Sequence, residues 1–303
     1  MAVEPRRGVV VPILTPFNDD MSIATDLYVA HAQWLLRQGA VALAPFGTTG
    51  EALSVGIDER IAAVRSLVDG GIDPALMVPG TGLSNVADTA RLSRACLDLG
   101  CAAVMTLPPF YYKAVTGDAL FRYFEQLVAA IGSDARIFLY HIPPVAVVGI
   151  PPSLAARLHR AMPGNVIGIK DSSGDFDNTR KLFEIEGLVV YPGSELPLLQ
   201  ALELGGPGCV SATANLNVKA IAGIVKHFDS GDMDAAQALQ ARVAQFRKAV
   251  ERHGPIPAQK RLLAIASGDE RWSNVRPPLT AMAAADGEAL AETLREEFGA
   301  LEY

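Results

Sequence analysis

The chain has 303 residues, of which 50% are hydrophobic and 19% charged, enough apolar material for a large core and too little charge for a disordered protein. Its formal net charge of −7 and pI near 5.3 argue against nucleic acid or an anionic membrane surface as the main partner. The three cysteines, Cys96, Cys101 and Cys209, are odd in number and lack CxxC spacing, which excludes a disulfide framework and a thiolate metal site and points to a reducing cytoplasm.

The first apolar stretch, Gly8 to Leu14, contains Pro12 and is too short for a signal-peptide core or a membrane span. No later segment supplies the roughly 18 uninterrupted apolar residues of a spanning helix, so a soluble protein is expected. Short apolar runs then alternate with longer segments of helical period. Val9–Leu14 precedes a helix over Asp26–Arg37, Val41–Pro45 one over Asp58–Asp69, and Leu76–Pro79 one over Asn85–Leu99. Ala103–Leu107 precedes Asp118–Ile131, Arg136–His141 precedes Ser153–Arg160, and Val166–Lys170 precedes Asp175–Ile185. Leu188–Tyr191 precedes Glu195–Leu204, and Cys209–Ala212 precedes Val218–Phe228.

Continuously apolar strands are what a parallel sheet buried on both faces requires. Eight strand-then-helix units close into an α/β (β/α)8 TIM barrel, with a doubly wound open sheet as the alternative. No GxGxxG follows the first strand, which disfavours the dinucleotide-binding form of that alternative. The barrel is expected over residues 1–230. Residues 231–303 read as a C-terminal helical extension packed on it, with helices over Met233–Arg252, Ala258–Ala266 and Gly287–Phe298.

In such a barrel the reacting groups sit at the C-terminal ends of strands and in the loops that follow. Lys170 ends strand six in NVIGIKDSSG. It is either a nucleophile at the barrel mouth or a lysine snorkelling out of a strand end. Attack on a ketone to give an imine needs an unprotonated amine, a state that burial favours. Tyr140 ends strand five in RIFLYHIPP, as an acid/base group or a core aromatic with its hydroxyl at the rim. Gly47-Thr48-Thr49-Gly50-Glu51 after strand two offers hydroxyls and free N–H groups to a carboxylate, or a threonine cap to a helical turn. Tyr111 and Tyr112 follow strand four in PPFYYK, where rim packing is the plainer reading.

Taken together and in order, GTTGE, PPFYYK, YHIP and GIKDSSG resemble the dihydrodipicolinate synthase / N-acetylneuraminate lyase superfamily, from about residue 8 to beyond 290. The resemblance implies a class I aldolase or lyase acting on pyruvate-type 2-keto acids. In it Lys170 is the Schiff-base lysine, Tyr140 the proton relay, and Thr48 and Thr49 the carboxylate cradle that connects to that tyrosine. Tyr111, with Tyr112 as fallback, is the relay tyrosine lent across a subunit interface, so a homo-oligomer, dimer or tetramer, is expected. Gly193 in YPGSE and Val210 in GCVSA fall where the family lines the pocket with backbone groups.

One position departs from the pattern. Synthases of this family carry an arginine shortly after the strand-five tyrosine, clamping the carboxylate of aspartate semialdehyde; here Val145 stands in its place. Valine cannot form a bidentate charge-assisted pair. A 2-keto-3-deoxy sugar acid aldolase is therefore the expected activity. The synthase reaction, a keto sugar acid dehydratase and a non-catalytic keto-acid-binding protein are the alternatives. Ser172, Glu195 and Ser211 are candidates to bond hydroxyls of a sugar-acid tail, or else cap loops. His141 is expected to point toward the helical layer in a structural hydrogen bond. The remaining histidines lack i, i+4 ligand partners, so no metal and no cofactor are expected.

Overall fold

The computed structural model describes residues 5–301 and 303. The chain runs β1 (Gly8–Val11), α1 (Thr25–Arg37), β2 (Ala40–Leu43), α2 (Ile57–Asp69), α3 (Val86–Asp98), β3 (Val104–Thr106), α4 (Gly117–Ile131), β4 (Ile137–His141), α5 (Pro143–Ala146) and α6 (Pro152–Ala161). It continues through β5 (Val166–Asp171), α7 (Phe176–Phe183), β6 (Val189–Pro192), α8 (Leu198–Glu203), β7 (Gly208–Val210), α9 (Ala214–Asp229), α10 (Met233–Glu251), α11 (Pro255–Ser267) and α12 (Ala284–Phe298).

The paired strands are parallel, in the orders β2-β1-β7 and β3-β4-β5-β6. Segment 77–80 joins the two sets through parallel bridges Leu43↔Met77 and Gly80↔Met105. Val78 N donates to Leu43 O at 2.8 Å, and Met105 N to Pro79 O at 2.8 Å. On the opposite side β6 lies against β7, completing a (β/α)8 barrel. The strand expected at Leu76–Pro79 thus occupies its place as isolated bridges. Pro74 opens a 3-10 turn that runs through Leu76, and Pro79 has no N–H to give to a ladder.

Period-two alternation sorts each strand into two layers. Val9, Val11, Leu43, Val104, Ile137, Leu139, Ile169, Val190 and Cys209 pack outward with the helices in one core. Val10, Ala42, Met105, Phe138, Tyr140, Tyr191 and Val210 face inward and fill the barrel. The register of β4 with β5 sets Tyr140 beside Lys170, and that of β5 with β6 sets Lys170 beside Tyr191. Gly168, one inward position below Lys170, leaves room for Phe138: a Cβ there would lie 2.2 Å from the ring.

Helix starts follow side-chain caps. Asn85 accepts from Asp88 N at 2.8 Å, Thr116 from Ala119 N at 3.2 Å, and Asp175 from Asp177 N at 2.9 Å. The helix expected from Val218 begins earlier, at Ala214, because a first turn is joined across a kink at Asn217 (φ −138°). α10, α11 and α12 bury Phe246, Val250, Leu262, Leu263, Leu290 and Leu294 around Trp272, together with Leu14 from the loop after β1 and Leu216 from α9. Among the described residues no helix is long and apolar enough to cross a membrane.

Candidate active site

Lys170 ends the apolar run of β5 and is buried, with 4% of its surface exposed. Its Nζ donates to the Tyr140 hydroxyl at 3.3 Å and lies 4.3 Å from the centre of that ring. The same hydroxyl is 3.2 Å from Thr48 Oγ1. Amine, phenol and threonine hydroxyl therefore form one continuous chain across three strand ends. They open into a cavity of about 590 Å³ that Thr49, Ser172, Gly193, Gln200, Arg247 and Glu251 also line.

The threonine turn is held in an uncommon shape. Phe46 and Glu51 bracket it with positive φ, 57° and 54°. A Cβ at Gly50 would fall 2.9 Å from Ile13 O and 3.1 Å from Phe46 N, so the position needs glycine. Thr15 Oγ1 donates to Gly50 O at 2.8 Å. Glu51 turns inward to meet Lys260 of α11 at 2.5 Å, with both side chains wholly buried, and its other oxygen accepts from Arg276 N at 2.9 Å. Burial pushes the Lys260 amine down to about 8, against the opposing pull of the Glu51 charge. Sequence reading missed this anchor. The glutamate closes the GTTGE motif, but its partner lies 209 residues away, and only the docking of α11 brings them together.

The loop after β5 is braced by Asp171, which accepts from Ser173 N at 2.9 Å, Asn178 Nδ2 at 2.9 Å and Thr179 Oγ1 at 2.7 Å. Gly193 donates its N–H to Asp171 O at 2.6 Å, and a Cβ on it would collide with Ser172 Oγ at 1.9 Å. Ser172 and Gly193 thus sit side by side in the cavity wall. His141, next to Tyr140, accepts from Ile150 N at 2.7 Å, and burial lowers its pKa, the expected structural role.

Four expected site residues, Glu195, Ser211, Val210 and Tyr111, lie elsewhere. Glu195 does not face the cavity but is fully buried under it. Arg247 and Ser211 donate to its Oε2 at 2.7 and 2.5 Å, and Thr213 donates to Oε1. Both Glu195 and Ser211 are thereby spent on the protein itself and are not free for substrate hydroxyls. Val210 points into the barrel below the site, because strand alternation aims it there. It lines a separate cavity of about 680 Å³ at the N-terminal strand ends. Tyr111 is 76% exposed and packs edge-to-face on Tyr112 at 5.6 Å, outside the Lys170 cavity of its own chain. An apolar recess of about 360 Å³, walled by Leu107, Phe110, Ile142, Val145 and Leu279, meets the site on the other side of Thr48 and Tyr140.

The Dihydrodipicolinate synthetase family model matches residues 5–297. The chain belongs to that family. It is therefore a lyase of the class I, Schiff-base-forming kind. It is 32% identical over 264 residues to an uncharacterized DapA-like lyase of Chloroflexus aurantiacus, covering 86% of this chain and 87% of that one. It is 31% identical to the 4-hydroxy-tetrahydrodipicolinate synthase of Methanothrix thermoacetophila, covering 93% of this chain and 99% of the relative. The crystal structure of dihydrodipicolinate synthase from Agrobacterium tumefaciens superimposes with a TM-score of 0.88 at 33% identity, over 97% of this chain and all of that one. Val145 lies beyond Tyr140, where the wall of the recess shared with Leu107, Phe110, Ile142 and Leu279 is apolar.

Proposed function

We propose that Lys170 forms an imine with the ketone of a pyruvate-type 2-keto acid, and that the chain is a 2-keto-3-deoxy sugar acid aldolase. The observation that carries this reading is the chain from buried Lys170 Nζ through the buried Tyr140 hydroxyl to exposed Thr48 Oγ1, opening into the cavity at the strand ends. The amine attacks the ketone carbon and a carbinolamine loses water to give the imine. The Tyr140 phenol, within hydrogen-bond reach of the nitrogen, relays the protons of those steps. In the cleavage direction the aldol hydroxyl gives up its proton, the C3–C4 bond breaks, an aldehyde leaves and the electron pair stays as the enamine. Protonation of the enamine and addition of water then return pyruvate and the free amine.

The turn at Thr48 and Thr49, fixed by Glu51 and Gly50, is placed to cradle the keto-acid carboxylate. Val145 brings no guanidinium to the stretch of wall beside Tyr140, which favours a sugar-acid substrate over the aspartate semialdehyde condensation of a synthase. Tyr111 is exposed and outside the cavity of its own chain, which is in keeping with a tyrosine lent to a second copy, so we read the working unit as at least a dimer. We place it in the reducing cytoplasm, in keeping with three buried free cysteines. Residues 231–303 we read as an extension that closes the barrel mouth, since Arg247, Glu251 and Pro255 wall the cavity.

Incubation with pyruvate and borohydride tests the core of the proposal. A reduced adduct is expected on Lys170 and none in Lys170→Ala. A pyruvate-release screen over 2-keto-3-deoxygluconate, its galactonate epimer and N-acetylneuraminate, with aspartate semialdehyde condensation alongside, tests the substrate. Water loss without pyruvate release makes the enzyme a dehydratase instead.

A further inference from the structure

Arg247 of α10 shares the cavity wall with Lys170, and these two are the cations of that wall among the described residues. Its guanidinium is fixed from below by Glu195, which is fully buried and itself held by Ser211 and Thr213. From the solvent side Glu251, one helical turn further on, takes Nη2 at 2.7 Å and is 40% exposed. Arg247 Nε is buried without a hydrogen-bond partner. The fork is therefore rigid, and with Nη1 and Nη2 each turned to one carboxylate it retains a further N–H on each. Its charge is also already overmatched, one guanidinium against two carboxylates, with Asp175 on the same wall.

We propose that Arg247 and Glu251 form the subsite that selects the second substrate, a short aldehyde whose far end carries hydroxyl groups and no carboxylate. This rests on the imine reading of Lys170 given above. A hydroxyl is both donor and acceptor, so it can give its proton to Glu251 while receiving one from Arg247. A carboxylate can only accept, and at this spot it would meet net negative charge. Ser172, Ser194 and Gln200 lie on the same wall and supply further hydroxyl and amide partners. In the bond-forming direction the enamine carbon attacks the aldehyde carbon, the new alkoxide takes a proton, and water releases the product from Lys170. Arg247 and Glu251 touch the aldehyde's far end and set which aldehyde is held.

The test compares condensation of pyruvate with glyceraldehyde and with succinic semialdehyde by the full-length protein, together with borohydride trapping of pyruvate. Wild type should favour glyceraldehyde in kcat/KM by about a hundredfold. Glu251→Gln, which removes one negative charge at a half-exposed position, should narrow that ratio about tenfold, chiefly through the KM of the aldehyde. Arg247→Lys, which keeps a cation against Glu195 but loses the fork, should narrow it as well. A wild type that prefers succinic semialdehyde, or variants whose ratio stays within about twofold of wild type, overturns the subsite while pyruvate trapping stands. Failure of wild type to trap pyruvate on Lys170 overturns the imine reading and the subsite with it.

Discussion

Two lysines among the described residues are buried beside the same turn, and their surroundings differ in the partner each amine meets and in whether it opens onto a cavity. Lys260 sits 2.5 Å from Glu51, both wholly buried, with its nitrogen 4.4 Å over the Phe17 ring. Lys170 sits over the Tyr140 ring with a phenol oxygen at 3.3 Å and opens onto a cavity. A carboxylate partner at that distance occupies the amine and makes it an anchor. A phenol partner in an open cavity leaves the nitrogen approachable and supplies a group that can carry protons. The pair also cooperate: the Glu51 held by Lys260 lies three residues from Thr48, which completes the Lys170 chain.

Substitution breaks the comparison most sharply at the reactive member. Lys170→Met is expected to lower turnover by at least about 10⁴-fold, since a covalent route is lost outright. Its stability should stay within about 1 kcal/mol of wild type, because the side chain is replaced at similar volume and leaves no carboxylate stranded. Steady-state rates and a denaturant melt read the two halves. Tyr140→Phe comes next, with a loss of about 10²–10⁴ in kcat while borohydride still traps pyruvate on Lys170. A Tyr140→Phe enzyme with an unchanged rate would remove the phenol from the mechanism.

At the anchor the pattern should invert. Lys260→Met leaves Glu51 as a buried uncompensated charge and should cost about 3–5 kcal/mol in urea unfolding. The double variant Lys260→Met/Glu51→Gln should recover part of that loss, as the charge is gone. Its KM for the keto acid should nonetheless stay raised, because the threonine turn has lost its brace. Full recovery of both stability and KM would reduce the pair to ordinary packing.

The comparison also marks where the sequence is readable. The apolar strands, the order of the strand ends and the placing of Lys170 and Tyr140 there follow from local pattern, because parallel register turns adjacency in strand order into adjacency in space. Boundaries drifted where proline or a kink intervened, at Pro74–Leu76 and at Asn217. Glu195, expected among the substrate contacts, became a buried hub. A carboxylate in a loop reads alike whether its donors come from a ligand or from Ser211, Thr213 and Arg247, up to 52 residues away. Glu51 and Lys260 were invisible for the same reason: long-range pairing of charges leaves no periodic trace in either segment.

A third buried base extends the comparison to pH. His31 in α1 is fully buried, its Nε2 3.0 Å from Asn215 Oδ1, and burial lowers its pKa to about 4, opposed only by that hydrogen bond. Unfolded, the ring takes a proton near its ordinary value of about 6.5. Between those values the unfolded chain binds a proton that the folded chain refuses, so stability rises with pH across the window and falls as acid is added. The group's contribution should be complete above about pH 6.5 and decline by up to about 3 kcal/mol on the way to pH 4. Urea midpoints of wild type and His31→Gln, measured from pH 7 to pH 4, isolate it, because the variant lacks the titration and its curve should be flatter by that amount. Parallel curves would mean that the ring meets water in the folded state and that burial does not hold His31 neutral.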